Sequence, residues 1–321
     1  MKVRIVRFYC LRVTFIGDGG VGEDWGVGVE EWGALASVEG LAGVAGLAAG
    51  VRLVATDLDG TLLRPDGSVS SYTVDVLARA RAAALPVVFA TGRPPRWMPA
   101  VVDVTGHVGA AICANGALVI DLVDGRVLER HPIPHDVLVE VVETLRTEVP
   151  GIAFAIEYAP VDDGQPFAHE HDYRARYPVD DAHRGPDVRS LAAGRDVVKL
   201  LARPVSAGGD ADAFLARGEA HVAQLVTLTH SDADDVLLEM SAPGVSKGAA
   251  LAAYAHRLGL AARQVAAVGD MPNDVPMLAW AGVPMAVDGA HRSVVEAAAA
   301  VLPGPDHDGV ARFVDAVLTA P

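Results

Sequence analysis

The stretch Asp57-Leu58-Asp59-Gly60-Thr61-Leu62 follows the apolar run Leu53-Val54-Ala55, with Thr56 between them. The apolar run predicts a short buried strand, and the two aspartates lie two positions apart at its carboxyl end. One carboxylate can attack a phosphorus atom while the other reaches the leaving-group side of the same atom. Because a carboxylate attacks a phosphoryl group only where a cation neutralises the local charge, the stretch indicates phosphoryl transfer with magnesium.

Two other kinds of structure use the same residue types. Asp and Gly are common in tight turns, and helix-loop-helix calcium sites also begin with closely spaced acidic residues. A calcium loop of that kind ends on Glu at its twelfth position, which is Ser68 when counted from Asp57. The calcium interpretation is therefore weak, whereas a plain turn stays open until the rest of the chain is considered.

The composition excludes several classes of protein. The chain has 321 residues, of which 51% are hydrophobic, and this is enough for two globular domains with real cores. No uninterrupted apolar stretch reaches the roughly 18 residues of a membrane helix. A net charge of −15 argues against a nucleic-acid binder. Cys10 and Cys113 are far apart, which favours a reducing cytoplasm over a disulfide scaffold.

The first fifty residues differ from the rest. Residues 17–22 match the Gly-x-Gly-x-x-Gly pattern of dinucleotide sites, but that pattern requires a helix to follow. Gly26, Gly28 and Gly33 fall where this helix would lie, and each costs about 1 kcal/mol relative to alanine. We therefore discount a dinucleotide site and expect residues 1–50 to be a disordered or non-native extension.

From residue 51 onward, short apolar runs alternate with helical patterns. Strands are predicted at residues 52–56, 86–90, 110–113, 265–268 and 283–286, and helices at 74–84 and 247–258. This alternation predicts an α/β fold with a doubly wound, Rossmann-like parallel sheet covered by helices on both faces. In such sheets, ligands bind beyond the carboxyl ends of the strands.

The middle of the chain interrupts this alternation. It contains a polar stretch dense in Pro, Asp, His and Arg, together with two runs, 197–201 and 236–240, that predict strands of a separate sheet. We therefore predict a core built from residues 51–131 and 243–321, with an inserted α/β cap domain at residues 132–242.

Three further motifs lie near predicted strand ends or helix starts. Thr91-Gly92 follows a strand and can hold phosphate oxygens through a hydroxyl and backbone amides. Lys247 follows Ser246, a plausible N-cap, and a helix start favours anions. The loop Gly269-Asp270-Met271-Pro272-Asn273-Asp274 carries the oxygen ligands that magnesium prefers. Each motif has an ordinary alternative, a turn or a surface lysine, but their shared location favours one site.

Together these segments resemble the haloacid dehalogenase superfamily of phosphohydrolases, and more narrowly its Cof-type branch with a large C2-type α/β cap. The resemblance covers about residues 51–321. It is carried, in family order, by residues 57–62, 91–93, 114–117, 244–248 and 269–274. The aspartate at position 59 resembles the second acid of the phosphatase and phosphomutase branches, which the dehalogenases lack.

The resemblance implies a role for each motif residue. Asp57 would be the nucleophile that forms an aspartyl-phosphate, and Asp59 the acid and base that serves the leaving oxygen and then the water. The residues implied to contact phosphate are Leu58 through its amide, Thr91, Gly92, Lys247 and Asn273. The implied Mg2+ ligands are Asp57, Asp59 through its carbonyl, and Asp270, with Asp274 orienting Lys247 or the water shell of the metal.

The implied activity is a magnesium-dependent phosphatase for small phosphate monoesters, such as sugar phosphates or phosphorylated cofactors. We expect no nucleic-acid or membrane partner, a cytoplasmic location, and a monomer or homodimer. The alternatives are a sugar phosphomutase of the same superfamily and a phosphosugar-binding regulatory protein. In the cap, we favour a solvated loop over specificity residues for the polar stretch containing His169, His171, Asp172, Tyr173, Arg174 and Arg176.

Overall fold

The computed structural model describes residues 46–159, 166–175, 179–206, 208–231 and 235–320. Most of the expected extension, including the glycine pattern at 17–22, lies outside the described residues, as does Arg176. Among the described residues, no helix is long and apolar enough to cross a membrane.

An eight-stranded sheet forms the centre of the larger unit. Its strands are β1 (Leu53–Thr56), β2 (Val87–Ala90), β3 (Ala110–Cys113), β4 (Leu118–Asp121), β5 (Val127–Arg130), β12 (Val265–Gly269), β13 (Val283–Val287) and β14 (Ala300–Leu302). Their order is β14-β13-β12-β1-β2-β3-β4-β5, and the pairs from β14 to β3 are parallel. The pairs of β3 with β4 and of β4 with β5 are antiparallel. The predicted α/β fold class is confirmed.

A second sheet of six strands forms the smaller unit, which we call the cap. Its strands are β6 (Ile152–Tyr158), β7 (Phe167–Glu170), β8 (Arg184–Gly185), β9 (Val197–Pro204), β10 (Thr227–Thr229) and β11 (Leu238–Ser241). They lie in the order β10-β11-β9-β6-β7-β8, and every pair is antiparallel except β7 with β8.

Helices cover both sheets. They are α1 (Ser71–Ala82), α2 (Met98–Thr105), α3 (His135–Glu148), α4 (Val188–Ala192), α5 (Ala211–Val222), α6 (Lys247–Arg257), α7 (Val275–Trp280), α8 (Arg292–Ala297) and α9 (Gly309–Thr319). One apolar cluster joins α1 and α9 to one face of the larger sheet, and another joins α6 and α7 to the opposite face. The central strands are therefore buried on both faces, as their continuous apolar sequences predict.

A separate apolar cluster holds the cap together. In it, α3 and α5 pack on one face of the cap sheet, with Leu138, Leu145 and Phe214 against Phe154 and Leu200. Because side chains alternate between the faces of a strand, the residues next to these buried positions point to the opposite face. That second face turns towards the carboxyl ends of the core strands, as the contacts below show.

Candidate active site

The carboxyl ends of the core strands bring the motif residues together. Asp57 follows β1, and its backbone amide donates to the carbonyl of Val268 in β12 at 2.9 Å. Thr91 follows β2, and Asp270 follows β12. Because β1 lies between β2 and β12, these residues meet at one edge of the sheet.

Lys247 lies buried between two carboxylates. Its Nζ donates to Asp57 Oδ1 at 2.7 Å and to Asp274 Oδ1 at 2.7 Å, and its side chain is 0% exposed. Burial alone lowers a lysine pKa, but here the two carboxylates outweigh it and raise the pKa of Lys247 above its usual range. The lysine therefore carries a fixed positive charge beside Asp57.

Local structure fixes the position of Lys247. Ser246 is the N-cap of α6, because its Oγ accepts from the amide of Ala249 at 3.1 Å. Gly248 then allows close packing, since a Cβ there would lie 2.3 Å from the carbonyl oxygen of Pro276 at the start of α7. The expected N-cap is confirmed, and the glycine after the lysine sets the approach of α6 to α7.

Asp274 organises the loop that follows β12. Its Oδ2 accepts from the backbone amides of Asp270 at 2.9 Å and Met271 at 3.0 Å, while its Oδ1 accepts from Lys247. Both oxygens of this buried carboxylate are therefore engaged by protein donors. This geometry agrees with the orienting role that the resemblance implies for Asp274.

Three carboxylates could hold a metal ion. One oxygen each from Asp57, Asp270 and Asp274 lies within 4.8 Å of the other two. Since both oxygens of Asp274 are engaged, Asp57 and Asp270 are the better ligands. Thr61 Oγ1 donates to Asp270 Oδ1 at 2.6 Å and orients that carboxylate.

The electrostatics of this cluster also favour a cation. Burial raises the pKa of Asp57 well above its usual range, the neighbouring carboxylates add to the rise, and Lys247 opposes it. Burial and the like charge of Asp274 raise the pKa of Asp270 to about 6. The raised pKa values show that the negative charges of these carboxylates are close together and that positive charge nearby does not fully compensate them. Carboxylate oxygens are hard donors, which suit a divalent ion such as Mg2+.

Asp59 lies apart from this buried cluster. Its side chain is 57% exposed at the mouth of the site, and Arg93 Nε donates to its Oδ2 at 2.7 Å. Leu58, between the two aspartates, buries its side chain in the core, and its carbonyl accepts from the amides of Thr61, Leu62 and Leu63. This tight turn leaves Asp57 pointing inwards and Asp59 outwards.

The remaining phosphate-contact candidates line the same edge. Thr91 is buried, and its Oγ1 accepts from the amide of Arg93 at 3.0 Å. Asn273 Nδ2 donates to Asn115 Oδ1 at 3.1 Å. Asn115 has a positive φ of 57°, a conformation that Asn adopts more readily than most residues. The structure thus adds Asn115 to the group that contains Thr91, Gly92 and Asn273.

One face of the cap sheet points at this edge. Glu157 of β6 pairs in register with Lys199 of β9, and Glu239 of β11 pairs with Leu201 of β9. Arg203 lies on the same face, four positions after Lys199. Lys199 Nζ donates to the carbonyl of Gly92 at 2.6 Å. The cap therefore contacts the core loop that follows β2.

Further contacts join the cap to the core around the site. The carboxylate of Glu239 accepts from Lys199 Nζ at 2.9 Å, from Ser231 Oγ at 2.7 Å and from Asn115 Nδ2. Arg96 of the core donates to Glu157 of the cap, with Nη2 at 2.9 Å from Oε1. All these groups are at least partly buried, so the two units meet through a polar network and not through apolar packing alone.

A cavity of about 960 Å3 lies between the two units. On the core side it is lined by Asp57, Asp59, Thr91, Gly92, Arg93, Arg96, Trp97 and Asn273, and on the cap side by Glu157, Phe167, Tyr173, Lys199, Leu201, Arg203, Asp235 and Glu239, among others. Its volume is that of a site for a small organic molecule. Asp57 at its inner end and the cap residues opposite it make this cavity the candidate active site.

Sequence reasoning missed the cap residues. The expected solvated loop is wrong for His169 and Tyr173, which are buried, although His171, Asp172 and Arg174 are exposed as expected. The physical reason is that β7 pairs with β6 and places His169 and Tyr173 against Phe167. A useful pattern was present elsewhere, because single charged residues interrupt the apolar cap strands: Glu157, Lys199 and Glu239.

Comparison with known proteins agrees with this geometry. The family profile described as haloacid dehalogenase-like hydrolase matches residues 54–314. Pyridoxal phosphate phosphatase YbhA of Escherichia coli K12 is 27% identical over 271 residues, which cover 82% of this chain and 97% of that protein. An HMP-PP phosphatase of Escherichia coli strain 55989 is 32% identical over 250 residues, which cover 72% of this chain and 82% of that protein.

Solved structures show the same fold. The phosphatase BT1666 of Bacteroides thetaiotaomicron, from the same superfamily, superposes with a TM-score of 0.68 at 22% identity, over 83% of this chain and 95% of that one. At this level of identity the likeness establishes the arrangement of core and cap alone.

Proposed function

The chain belongs to the haloacid dehalogenase-like hydrolases and is a phosphatase of their Cof-type branch, and we propose that it uses Mg2+ and an aspartyl-phosphate intermediate to hydrolyse small phosphate monoesters. The observation that carries this proposal is the buried Lys247 held at 2.7 Å from Asp57 beside Asp270. A carboxylate, a fixed ammonium and a second carboxylate for a metal thus meet at the inner end of the cavity between core and cap.

The first half of the reaction forms a bond to the protein. Asp57 attacks phosphorus through a carboxylate oxygen, the bond from phosphorus to the leaving oxygen breaks, and Asp59 gives that oxygen a proton. Lys247, Thr91 and the amide of Gly92 hold the phosphoryl oxygens in place. In phosphoryl transfer such positioning and charge stabilisation account for most of the catalysis.

The second half releases phosphate. Water attacks phosphorus of the aspartyl-phosphate and gives a proton to Asp59, after which inorganic phosphate leaves and Asp57 is restored. Asp57, Asp270 and the carbonyl of Asp59 would hold Mg2+, which neutralises negative charge on the phosphoryl oxygens. The cap excludes bulk water from the cavity while the first step proceeds.

The relatives suggest the class of substrate. One is named a pyridoxal phosphate phosphatase and another an HMP-PP phosphatase, so both are named for a phosphorylated compound. We extend this to the present chain as a small phosphorylated metabolite. The cavity volume of about 960 Å3 accommodates such a molecule.

The test is phosphate release from a panel of phosphorylated metabolites, with Mg2+ and with a chelator. We expect release that depends on Mg2+ and is abolished in Asp57→Asn. Asp75→Asn, an exposed aspartate of α1, is the matched control and should retain activity. Release that survives in Asp57→Asn would remove the nucleophile from the proposal, and release unchanged by the chelator would remove the metal.

A further inference from the structure

The charged groups that line the cavity are paired with one another. Among the described residues that line it, each cation contacts a carboxylate that also lines it. The four pairs are Arg93 with Asp59, Arg96 with Glu157, Lys199 with Glu239, and Arg203 with Asp235. Their nitrogen–oxygen distances are 2.7 Å for the first pair and 2.9 Å for the other three.

Three of these four cations have further partners besides their carboxylates. Lys199 Nζ also donates to the carbonyl of Gly92, and Arg203 Nη1 donates to the carbonyl of Arg174 at 2.9 Å. The Arg96 guanidinium lies 5.3 Å from the ring centres of both Trp97 and Phe167. The charge of each of these cations is therefore neutralised by a protein carboxylate, although the Nε of Arg203 has no hydrogen-bond partner among the described residues.

The phosphoryl end of the cavity is different. There Asp57 meets Lys247, and the neighbouring carboxylates leave an excess of negative charge that a divalent ion would neutralise, so that an anionic phosphoryl group can approach. Beyond that end, an anionic group would have to displace a carboxylate from its cation or lie next to one. Either outcome leaves charge without compensation, which is most costly at the buried pairs, such as Lys199 with Glu239. A neutral hydroxyl, carbonyl or amide can instead bond to the existing pairs.

We infer that the site selects phosphate esters whose leaving group is uncharged, and disfavours those whose leaving group carries a carboxylate. This deepens the proposed function and rests on it, since it takes the cavity as the place where the leaving group lies. Much of the remaining wall is apolar or aromatic, formed by Trp97, Phe167, Val179, Leu201 and Leu237 among others, and suits the carbon framework of a cyclic alcohol. Specificity then comes from the repulsion between the cavity carboxylates and an anionic leaving group as much as from favourable contacts with a neutral one.

The experiment measures binding without turnover. Two phosphonates serve as probes, because their phosphorus–carbon bond is not hydrolysed: 4-carbamoylbenzylphosphonate and 4-carboxybenzylphosphonate. They have nearly the same shape and differ in one charge. With the full chain and saturating Mg2+, we expect calorimetry to show the amide binding at least about tenfold more tightly than the carboxylate. Equal binding, tighter binding of the carboxylate, or no binding of either would overturn the inference.

A variant tests the cause. Glu157→Gln leaves Arg96 without the carboxylate that neutralises it. The preference for the amide phosphonate over the carboxylate phosphonate should therefore fall severalfold or reverse. Glu296→Gln removes an exposed carboxylate paired with Arg292 outside the cavity and should keep the preference of the wild type. If Glu157→Gln does not fold, Glu239→Gln uncovers Lys199 and gives the same readout. A preference unchanged in a folded cavity variant would overturn the inference.

The proposed function is judged separately. Phosphate release from 4-carbamoylphenyl phosphate and 4-carboxyphenyl phosphate, the esters in which oxygen replaces the methylene group of each phosphonate, reports on the chemistry. Binding of the neutral phosphonate without release from the corresponding ester would contradict the phosphatase mechanism and leave the charge preference standing. Release from both esters at equal efficiency, with equal phosphonate affinities, would contradict the charge preference and leave the mechanism standing.

Discussion

The Nζ of Lys247 lies 2.7 Å from Asp57 Oδ1, although 190 residues separate the two in the chain. The same ammonium also neutralises Asp274, and all three side chains are buried. Removing one partner from a buried ionic group leaves the others without compensation, which is far more costly than losing an exposed pair. Lys247 thus contributes to stability as well as to the proposed chemistry.

Lys247→Met should therefore lower the free energy of unfolding by about 3–5 kcal/mol and abolish phosphate release. Chemical denaturation followed by circular dichroism measures the first effect. Arg292→Met is the matched control, because Arg292 is 88% exposed and pairs at the surface with Glu296, and it should leave stability close to that of the wild type. A loss in Lys247→Met no larger than that of the control would contradict the buried ionic cluster.

Gly60 controls the position of Asp270. Its φ is +74°, and a Cβ at this position would lie 2.4 Å from Asp270 Oδ2. Gly60→Ala should displace that carboxylate and raise the Mg2+ concentration needed for half-maximal activity severalfold. Gly67 has a similar φ of +80° with nothing within 4 Å of its added Cβ, so Gly67→Ala carries the same backbone strain without the clash.

A magnesium titration of both variants separates strain from displacement. Both should lose about 1–2 kcal/mol of stability through the left-handed backbone conformation. Only Gly60→Ala should shift the magnesium dependence of phosphate release. Identical titration curves for the two variants would argue against Asp270 as a metal ligand.

The core of the site could be predicted from sequence because its information is local. Asp57, Thr91 and Asp270 each follow directly on a short apolar strand, and parallel strands end at one edge. Lys247 has no such strand before it, yet its N-cap and the following glycine mark the start of a helix. These residues needed no knowledge of strand order to be proposed as one site.

The cap half of the site required knowledge that sequence does not contain. Glu157, Lys199 and Glu239 share a face only because β6, β9 and β11 are neighbours in a specific register. A shift of one residue would turn each side chain to the opposite face. The contact of Arg96 with Glu157 also depends on how the cap packs on the core.

The contact of Lys199 with the Gly92 carbonyl predicts that the cap helps to position the core loop after β2, which carries Thr91 and Gly92. Lys199→Met removes that bond and leaves the carboxylate of Glu239 buried without its cation. We expect kcat/KM for phosphate release to fall at least about tenfold, since small misplacements of reacting groups are costly. Steady-state kinetics on one substrate measure this effect.

Arg130→Met is the comparison for that variant. Arg130 and Asp196 form an exposed ion pair at 2.9 Å between the end of β5 and the segment before β9. Exposed pairs of this kind contribute little, so we expect kcat/KM to change by less than about twofold. Equal losses in the two variants would indicate a general effect of lost positive charge instead of loop positioning.

The buried His107 predicts a dependence of stability on pH away from the site. Its Nε2 donates to the carbonyl of Val87 at 2.9 Å, its ring packs 4.8 Å from Phe89, and among the described residues Nδ1 has no hydrogen-bond partner. Burial lowers the pKa of His107 below its usual 6.5, because a second ring proton would find no acceptor. The unfolded chain then binds more protons than the folded one in the window just below pH 6.5, so this contribution is complete above that pH and is lost as the pH falls through the folded value.

Denaturant unfolding at several pH values should show a smaller loss on acidification in His107→Gln than in the wild type, whereas His256→Gln, at an exposed position, should behave as the wild type does. A His107→Gln variant that loses stability as steeply as the wild type would refute this assignment.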